Sequence, residues 1–141
     1  MLLRKATYDD WKILLDWRND PLTRNNSFKQ DKISEQTHKV WFTNSLSNID
    51  REIYILENNL IPVGSIRSDK NSANECILSW NIAPDQRGKG YGTKILEMFL
   101  QNKIGKFIAE IKPENIASIK MVQNNGFEKL DETTYIKIIN K

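Results

Sequence analysis

Gln86-Arg87-Gly88-Lys89-Gly90-Tyr91-Gly92-Thr93 lies between a strand-like segment ending near Ile82 and a helix-like one marked by Ile95, Leu96, Met98, Phe99 and Leu100. Three alternating glycines let the backbone turn sharply and aim successive N–H groups at one spot, and the positive end of the following helix adds to the field. An anionic ligand, above all a diphosphate, is expected there. The run is not a nucleotide-hydrolysing P-loop. Counted from Gly88, Thr93 replaces the second glycine and Ile95 the magnesium-binding hydroxyl, so only Lys94 fits. A dinucleotide fingerprint fits at Gly88 and Gly90, with Glu110 at a suitable distance, but Thr93 stands where the third glycine belongs. The segment before the loop also reads as an antiparallel meander rather than the start of a βαβ unit.

Upstream, residues 2–6 read as a first strand, and Asp9 or Asp10 caps a helix through about Arg18 that carries Trp11, Leu14 and Leu15 on one side. Asn19-Asp20-Pro21 stops it. The stretch from Leu22 to Lys32 reads as polar and irregular, and Ser34 with Thr37 opens a helix bearing His38, Val40, Trp41, Phe42 and Leu46. Glu52–Leu56 and Val63–Arg67 form a hairpin, with a third strand from about Glu75 to Ile82. Downstream come a strand over Phe107–Ile111, a helix over Ile116–Asn124 and a closing strand around Tyr135–Ile139. A meander feeding a parallel crossover is an α+β, mixed arrangement, and 141 residues suit one domain over 1–141.

Composition narrows the function classes. The formal charge of +3 is spread along the chain without a Lys/Arg block, so nucleic-acid binding is not implied. No apolar run approaches the ~20 residues of a membrane helix, and charge interrupts Met1-Leu2-Leu3-Arg4-Lys5 before it can become a leader, which makes a cytoplasmic location the expectation. Cys76 is the one cysteine, so no internal disulfide and no thiolate zinc cluster can form, and it reads as a small buried strand residue. No metal is expected.

Read from Arg87, the loop is Arg-x-x-Gly-x-Gly, and it resembles the acetyl-CoA pyrophosphate signature of the GNAT superfamily of N-acetyltransferases. A second stretch, Glu110-Ile111-Lys112-Pro113-Glu114-Asn115 with Ile116-Ala117-Ser118 and then Gly126-Phe127, is similar to that family's strand, its cofactor-side helix and its Gly-Phe stop. The resemblance implies a mostly antiparallel twisted sheet with a parallel βαβ crossover, splayed middle strands and helices on both faces. It also implies acetyl-CoA as co-substrate, held by Arg87, Gly88, Lys89, Gly90, Tyr91, Gly92 and Thr93, by backbone groups near Asn81, Ile82 and Ala83, and by Asn115 and Ser118. The plain alternatives are strand termination at Ala83-Pro84 and helix capping at Asn115.

Transfer of acetyl to an amine needs an uncharged amine, a polarised carbonyl and a proton for the departing thiolate. Glu110 is the first choice of general base: it lies where relatives place an acidic group facing the acceptor, and burial would strengthen it. Its alternative is an edge charge or ion-pair partner. Relatives carry an acidic tyrosine seven residues after the asparagine, and Val122 occupies that place here. Either Ser118, Tyr135, Tyr91 or a water then supplies the proton, or the thiolate leaves without a dedicated acid, which its modest basicity permits.

The segments Leu15–Pro21 and His38–Phe42 look like the N-terminal part of a branch that acetylates nucleotide-linked amino sugars, such as the 4-amino sugar enzymes of pseudaminic-acid synthesis. That likeness puts Arg18, Arg24 and His38 near the acceptor's nucleotide, with Trp41 or Phe42 as an apolar wall. Solvated surface arginines and a structural histidine are the alternatives. Trp17-Arg18-Asn19 also occurs in the branch that acetylates protein N-termini, which makes a peptide α-amine the second acceptor. A non-catalytic acyl-CoA sensor is the reading from another class. A monomer or a homodimer suits any of them.

Overall fold

The structure is a computed structural model that describes all of residues 1–141. In chain order its elements are β1 (Leu2–Lys5), α1 (Trp11–Asn19), α2 (Pro21–Asn25), α3 (Glu35–Leu46), β2 (Arg51–Asn58), β3 (Ile61–Lys70) and β4 (Cys76–Ile82). Then follow α4 (Tyr91–Leu100), β5 (Gly105–Glu110), α5 (Ile116–Asn124), β6 (Glu128–Lys129) and β7 (Thr134–Ile139). The strands form one seven-stranded sheet in the order β1-β2-β3-β4-β5-β7-β6. Only β4 and β5 run parallel. The fold is α+β, as expected from the meander and the crossover.

Alternation along the strands gives the sheet two apolar faces, each covered by helices. Leu56, Ile66, Leu78, Phe107 and Ala109 meet Ile95, Leu96 and Phe99 of α4 and Met121 and Val122 of α5 in the larger core. On the other face Ile55 packs with Leu14 and Trp17 of α1, Phe42 of α3 and Ala83. A bidentate bond from Arg4 to Asp10, at 2.8 Å from each terminal nitrogen, ties β1 to the start of α1. Burial by itself would raise the Asp10 carboxyl, but the Arg4 guanidinium and the Thr7 amide outweigh it and hold the group below the usual carboxylate range.

Two stretches differ from the sequence reading. Pro21 does not only stop α1: it is the first residue of α2, and Asp20 caps that helix by accepting from the Thr23 amide at 3.2 Å. Proline is preorganised for a helix's first turn, where its missing N–H is no loss. The β2–β3 hairpin is also tighter than a six-residue connection, because Asn59 and Leu60 both take positive φ, 52° and 68°, and the strands run up to them. Cys76 is half-buried rather than buried.

Candidate active site

β4 and β5 pair at Cys76–Phe107, Ile77–Ile108 and Leu78–Ala109, and there the pairing ends. β4 continues to Ile82 along β3, while β5 continues along β7 as far as Glu110 opposite Thr134. A V-shaped gap opens in the middle of the sheet, within a cleft of about 550 Å³. Hydrogen-bond alternation dictates which backbone groups face the gap. The Ala83 amide donates to the Val63 carbonyl at 2.9 Å, so in this antiparallel ladder odd-numbered β4 residues bond toward β3 and even-numbered ones point the other way. The expectation for Asn81 and Ala83 is thereby corrected: Ala83 is buried with its N–H engaged and the Asn81 N–H faces β3, while Trp80 and Ile82 direct theirs into the gap.

The glycine-rich loop closes one end. Gly88 and Gly90 take φ of 77° and 81°, a region that L side chains avoid, and a Cβ on either would enter open space. Gly90 is the N-cap of α4 and contributes no side chain to it. The first amide bonded within the helix is Lys94, to the Gly90 carbonyl, which leaves the N–H groups of Tyr91, Gly92 and Thr93 directed out of the helix end. These features fit a diphosphate: unpaired donors, a helix terminus and an uncluttered approach. Gly92 serves a different purpose. A Cβ there would lie 2.5 Å from Met121 Sδ, so this glycine lets α4 and α5 approach closely.

Among the other loop residues, Tyr91 lines the cleft and its hydroxyl accepts from Asn58 Nδ2 at 2.8 Å. Arg87 also lines it, but its guanidinium donates to Asp20 and, at 3.0 Å, to Thr23 Oγ1, tying the loop to α2. Burial pushes Asp20 up, and the Arg87 and Thr23 bonds overcome that to hold it below its ordinary value. Lys89 is exposed, bonds Gln86 Oε1 and does not line the cleft. Thr93 does line it, with its side chain accepting from Asn124.

From the α5 side, Asn115 caps the helix by accepting from the Ser118 amide at 3.2 Å. Ser118 Oγ accepts from the Trp80 indole at 3.0 Å, which fixes the hydroxyl at the cleft wall and leaves its own proton to donate. Glu110 lines the cleft mouth, exposed rather than buried, and its two oxygens accept from the Thr133 and Thr134 hydroxyls at 3.1 and 2.8 Å. Tyr135 is not near this chemistry. It sits opposite Ala109 with its ring in the larger core, 3% exposed, and does not line the cleft.

The acceptor-side expectations divide. His38 is 1% exposed, stacked on Phe42, with Nε2 at 2.9 Å from the Trp11 carbonyl. A carbonyl only accepts, so Nε2 carries the proton and Nδ1 is buried without a partner. Burial pushes this imidazole's pKa down, the Trp11 bond opposes that, and Arg18 adds to it. His38 is thus an interior residue outside the cleft. Arg24 bonds the Asn19 carbonyl at the α1–α2 corner and likewise stays out. Arg18 lies over the Trp41 ring, beside Arg67, and neither Arg18 nor Trp41 itself lines the cleft. Sequence reasoning missed Arg67 and Asp69, which line the cleft from β3, and α2 with the residues after it, where Thr23, Asn26 and Phe28 form a wall. Charges alternating along the otherwise buried run from Val63 to Asp69 were the available signal.

Residues 1–128 match the model of the acetyltransferase (GNAT) domain, and the chain belongs to that family. That membership makes the chain an acetyltransferase domain and favours an enzyme over a sensor. The fold superposes on a ribosomal-protein-alanine N-acetyltransferase from Brucella melitensis with a TM-score of 0.83, 22% identity and coverage of 99% of this chain and 100% of that one. A spermidine N-acetyltransferase from Vibrio cholerae, in complex with CoA and spermine, also gives 0.83, at 14% identity over 96% and 91% of the two chains. An uncharacterized protein of Methanocaldococcus jannaschii is 29% identical across 92% of this chain, which spans 28% of that relative's length. No helix is long and apolar enough to cross a membrane.

Proposed function

We propose that the acceptor is a small molecule with a primary amine, the 4-amino group of a UDP-linked amino-deoxy sugar, acetylated by direct attack in a ternary complex. The opening of the sheet between Leu78–Ala109 and Ile82 supports the direct-transfer part of this reading, because it joins two sides of the sheet through one gap. When bound, acetyl-CoA supplies the activated acyl group: the amine nitrogen bonds the carbonyl carbon, the C–S bond breaks, and sulfur leaves to take up a proton. The chain's residues have the other tasks. Amides of Tyr91, Gly92 and Thr93 hold the diphosphate, and the Trp80 or Ile82 N–H polarises the carbonyl, a contribution of about 3 kcal/mol in comparable sites. Glu110 accepts the amine proton. Ser118 donates toward the sulfur.

A peptide α-amine is the second reading, favoured by the full-length likeness to the Brucella fold. CoA release from acetyl-CoA, measured with a UDP-linked 4-amino sugar and in parallel with a panel of N-terminal peptides, separates the two. Release with the sugar nucleotide alone is expected. Release with peptides alone would overturn the acceptor assignment.

A further inference from the structure

Three guanidiniums converge on one indole on the acceptor side of the sheet. Arg18, Arg51 and Arg67 place their central carbons 5.3, 5.4 and 5.3 Å from the Trp41 ring centroid. Asp69 is the one carboxylate among them, and it is shared: it accepts from Arg67 Nε at 3.0 Å and from Arg51 Nε at 2.5 Å. Arg51 has a further partner in Ser45 Oγ at 2.9 Å. Arg18 has no acid against it, and the charge acting on it is Arg67. The cluster therefore holds an excess of two positive charges on half-buried side chains. Burial first, and then their mutual repulsion, lowers the pKa of Arg18; burial also lowers that of Arg67, with Asp69 opposing. Holding unpaired cations out of water is unfavourable unless something else compensates.

The location of the cluster identifies what compensates. Arg67 lines the cleft and stands directly opposite Ser79 in the β3–β4 register, and Ser79 is the first β4 residue beyond the last pairing with β5. Adjacent strands lie about 5 Å apart, so the Arg67 guanidinium is within roughly 5–10 Å of the gap where the amine must react, and Arg18 and Arg51 stand behind it on the Trp41 ring without lining the cleft themselves. Guanidinium forks match phosphate and carboxylate oxygens, and the Trp41 face fixes their plane.

We propose that Arg18 and Arg67, braced on Trp41, form a subsite for an oxyanion group of the acceptor, so that the amine acetylated belongs to a molecule bearing phosphate or carboxylate close to it. Arg51 and Asp69 hold the Arg67 fork in place. The same charge disfavours polyamines, such as the spermine bound in the Vibrio relative. The inference rests on the acetyltransferase reading and deepens it, since it adds to Arg18 of α1 an acceptor-recognition residue, Arg67, that lies in the sheet.

The test uses equilibrium binding rather than turnover. The protein is saturated with CoA, so that the glycine loop is filled, and titrated in separate arms with UDP and with succinate. UDP binding is expected, weakened about tenfold or more by Arg18→Gln and by Arg67→Gln, and partly restored by Arg67→Lys. Arg18→Gln removes a cation that has no carboxylate partner and gives up only its stacking on Trp41, so it is expected to melt close to the wild-type temperature, which separates lost recognition from lost folding. The same pattern with succinate instead of UDP would support the subsite with a carboxylate as its ligand. Binding of neither anion, or wild-type affinity in both variants, overturns the proposal with the acetyltransferase reading intact. Failure of CoA itself to bind would remove that reading and the subsite with it.

Discussion

Gly90→Val tests the diphosphate cradle. Gly90 has φ of 81°, so a β-branched residue costs about 1–2 kcal/mol in backbone energy. For a chain of this size that is a drop of about 3–8 °C in Tm. No atom lies within 4 Å of the added Cβ, so no steric clash adds to the cost. The side chain instead occupies the space in front of the Tyr91, Gly92 and Thr93 amides. A hydrogen bond to a charged group contributes about 1.5–3 kcal/mol, and displacing a diphosphate from two such donors lowers acetyl-CoA affinity about 100-fold or more.

Two companions separate binding from backbone strain. Asparagine tolerates the left-handed region, so Gly90→Asn should keep its stability yet still intrude and lose affinity. Gly105 also has positive φ, 127°, with nothing within 4 Å, but lies outside the cleft, so Gly105→Ala should lose stability and keep affinity. Calorimetric titration with acetyl-CoA and thermal melts read both quantities. Wild-type affinity in folded Gly90→Val and Gly90→Asn would refute the assignment of the loop to the diphosphate.

Glu110→Gln should slow turnover about 100-fold and leave acetyl-CoA affinity unchanged; wild-type rates across pH would remove Glu110 as the base. Gly92→Ala should cost about 1–3 kcal/mol in urea unfolding because its Cβ meets Met121, and combining it with Met121→Ala should cost less than the two changes added separately; strict additivity would count against the contact. Burial depresses the folded-state pKa of His38, so below about pH 6.5 the unfolded chain binds more protons and stability falls as pH is lowered. His38→Phe should flatten that fall between pH 7.5 and 5.5, and an unchanged slope would assign it to other groups.

The parts of the site legible in the sequence are those where one residue's backbone demands a particular amino acid. Gly88 and Gly90 announce positive φ, and Asn115 announces a helix start, without reference to anything distant. Side chains whose surroundings come from other strands were harder to place. His38 shares a helix face with Phe42 and Ser45, at intervals of four and three, and all three are buried. That periodicity signals an interior histidine, although a single histidine among aromatics also suits a binding wall. Tyr135 depends on the β5–β7 register, and Arg67 on the distant Trp41. Asp20-Pro21 was legible and misread, since a residue pair that stops one helix also starts the next.

The parity of β4 explains how a single strand serves both sides of the reaction. Cys76, Leu78, Trp80 and Ile82 face α4 and α5, where Trp80 bonds Ser118. Ile77, Ser79 and Asn81 face the other way, across from Asp69, Arg67 and Ser65 in the β3 register. Glu110 lies on that second face too, because Ile108 is paired with Ile77 and Glu110 is two residues on. Glu110 and Ser118 therefore lie on opposite faces of the sheet, with the backbone donors of Trp80 and Ile82 in the plane between them. The same geometry bears on the place where relatives keep a tyrosine. Val122 is fully buried against the larger core, and Ser118, one helical turn earlier on the same face of α5, is the hydroxyl at the cleft wall. A proton donor at Ser118 needs no side chain long enough to reach out of the core, because β4 brings the gap to it.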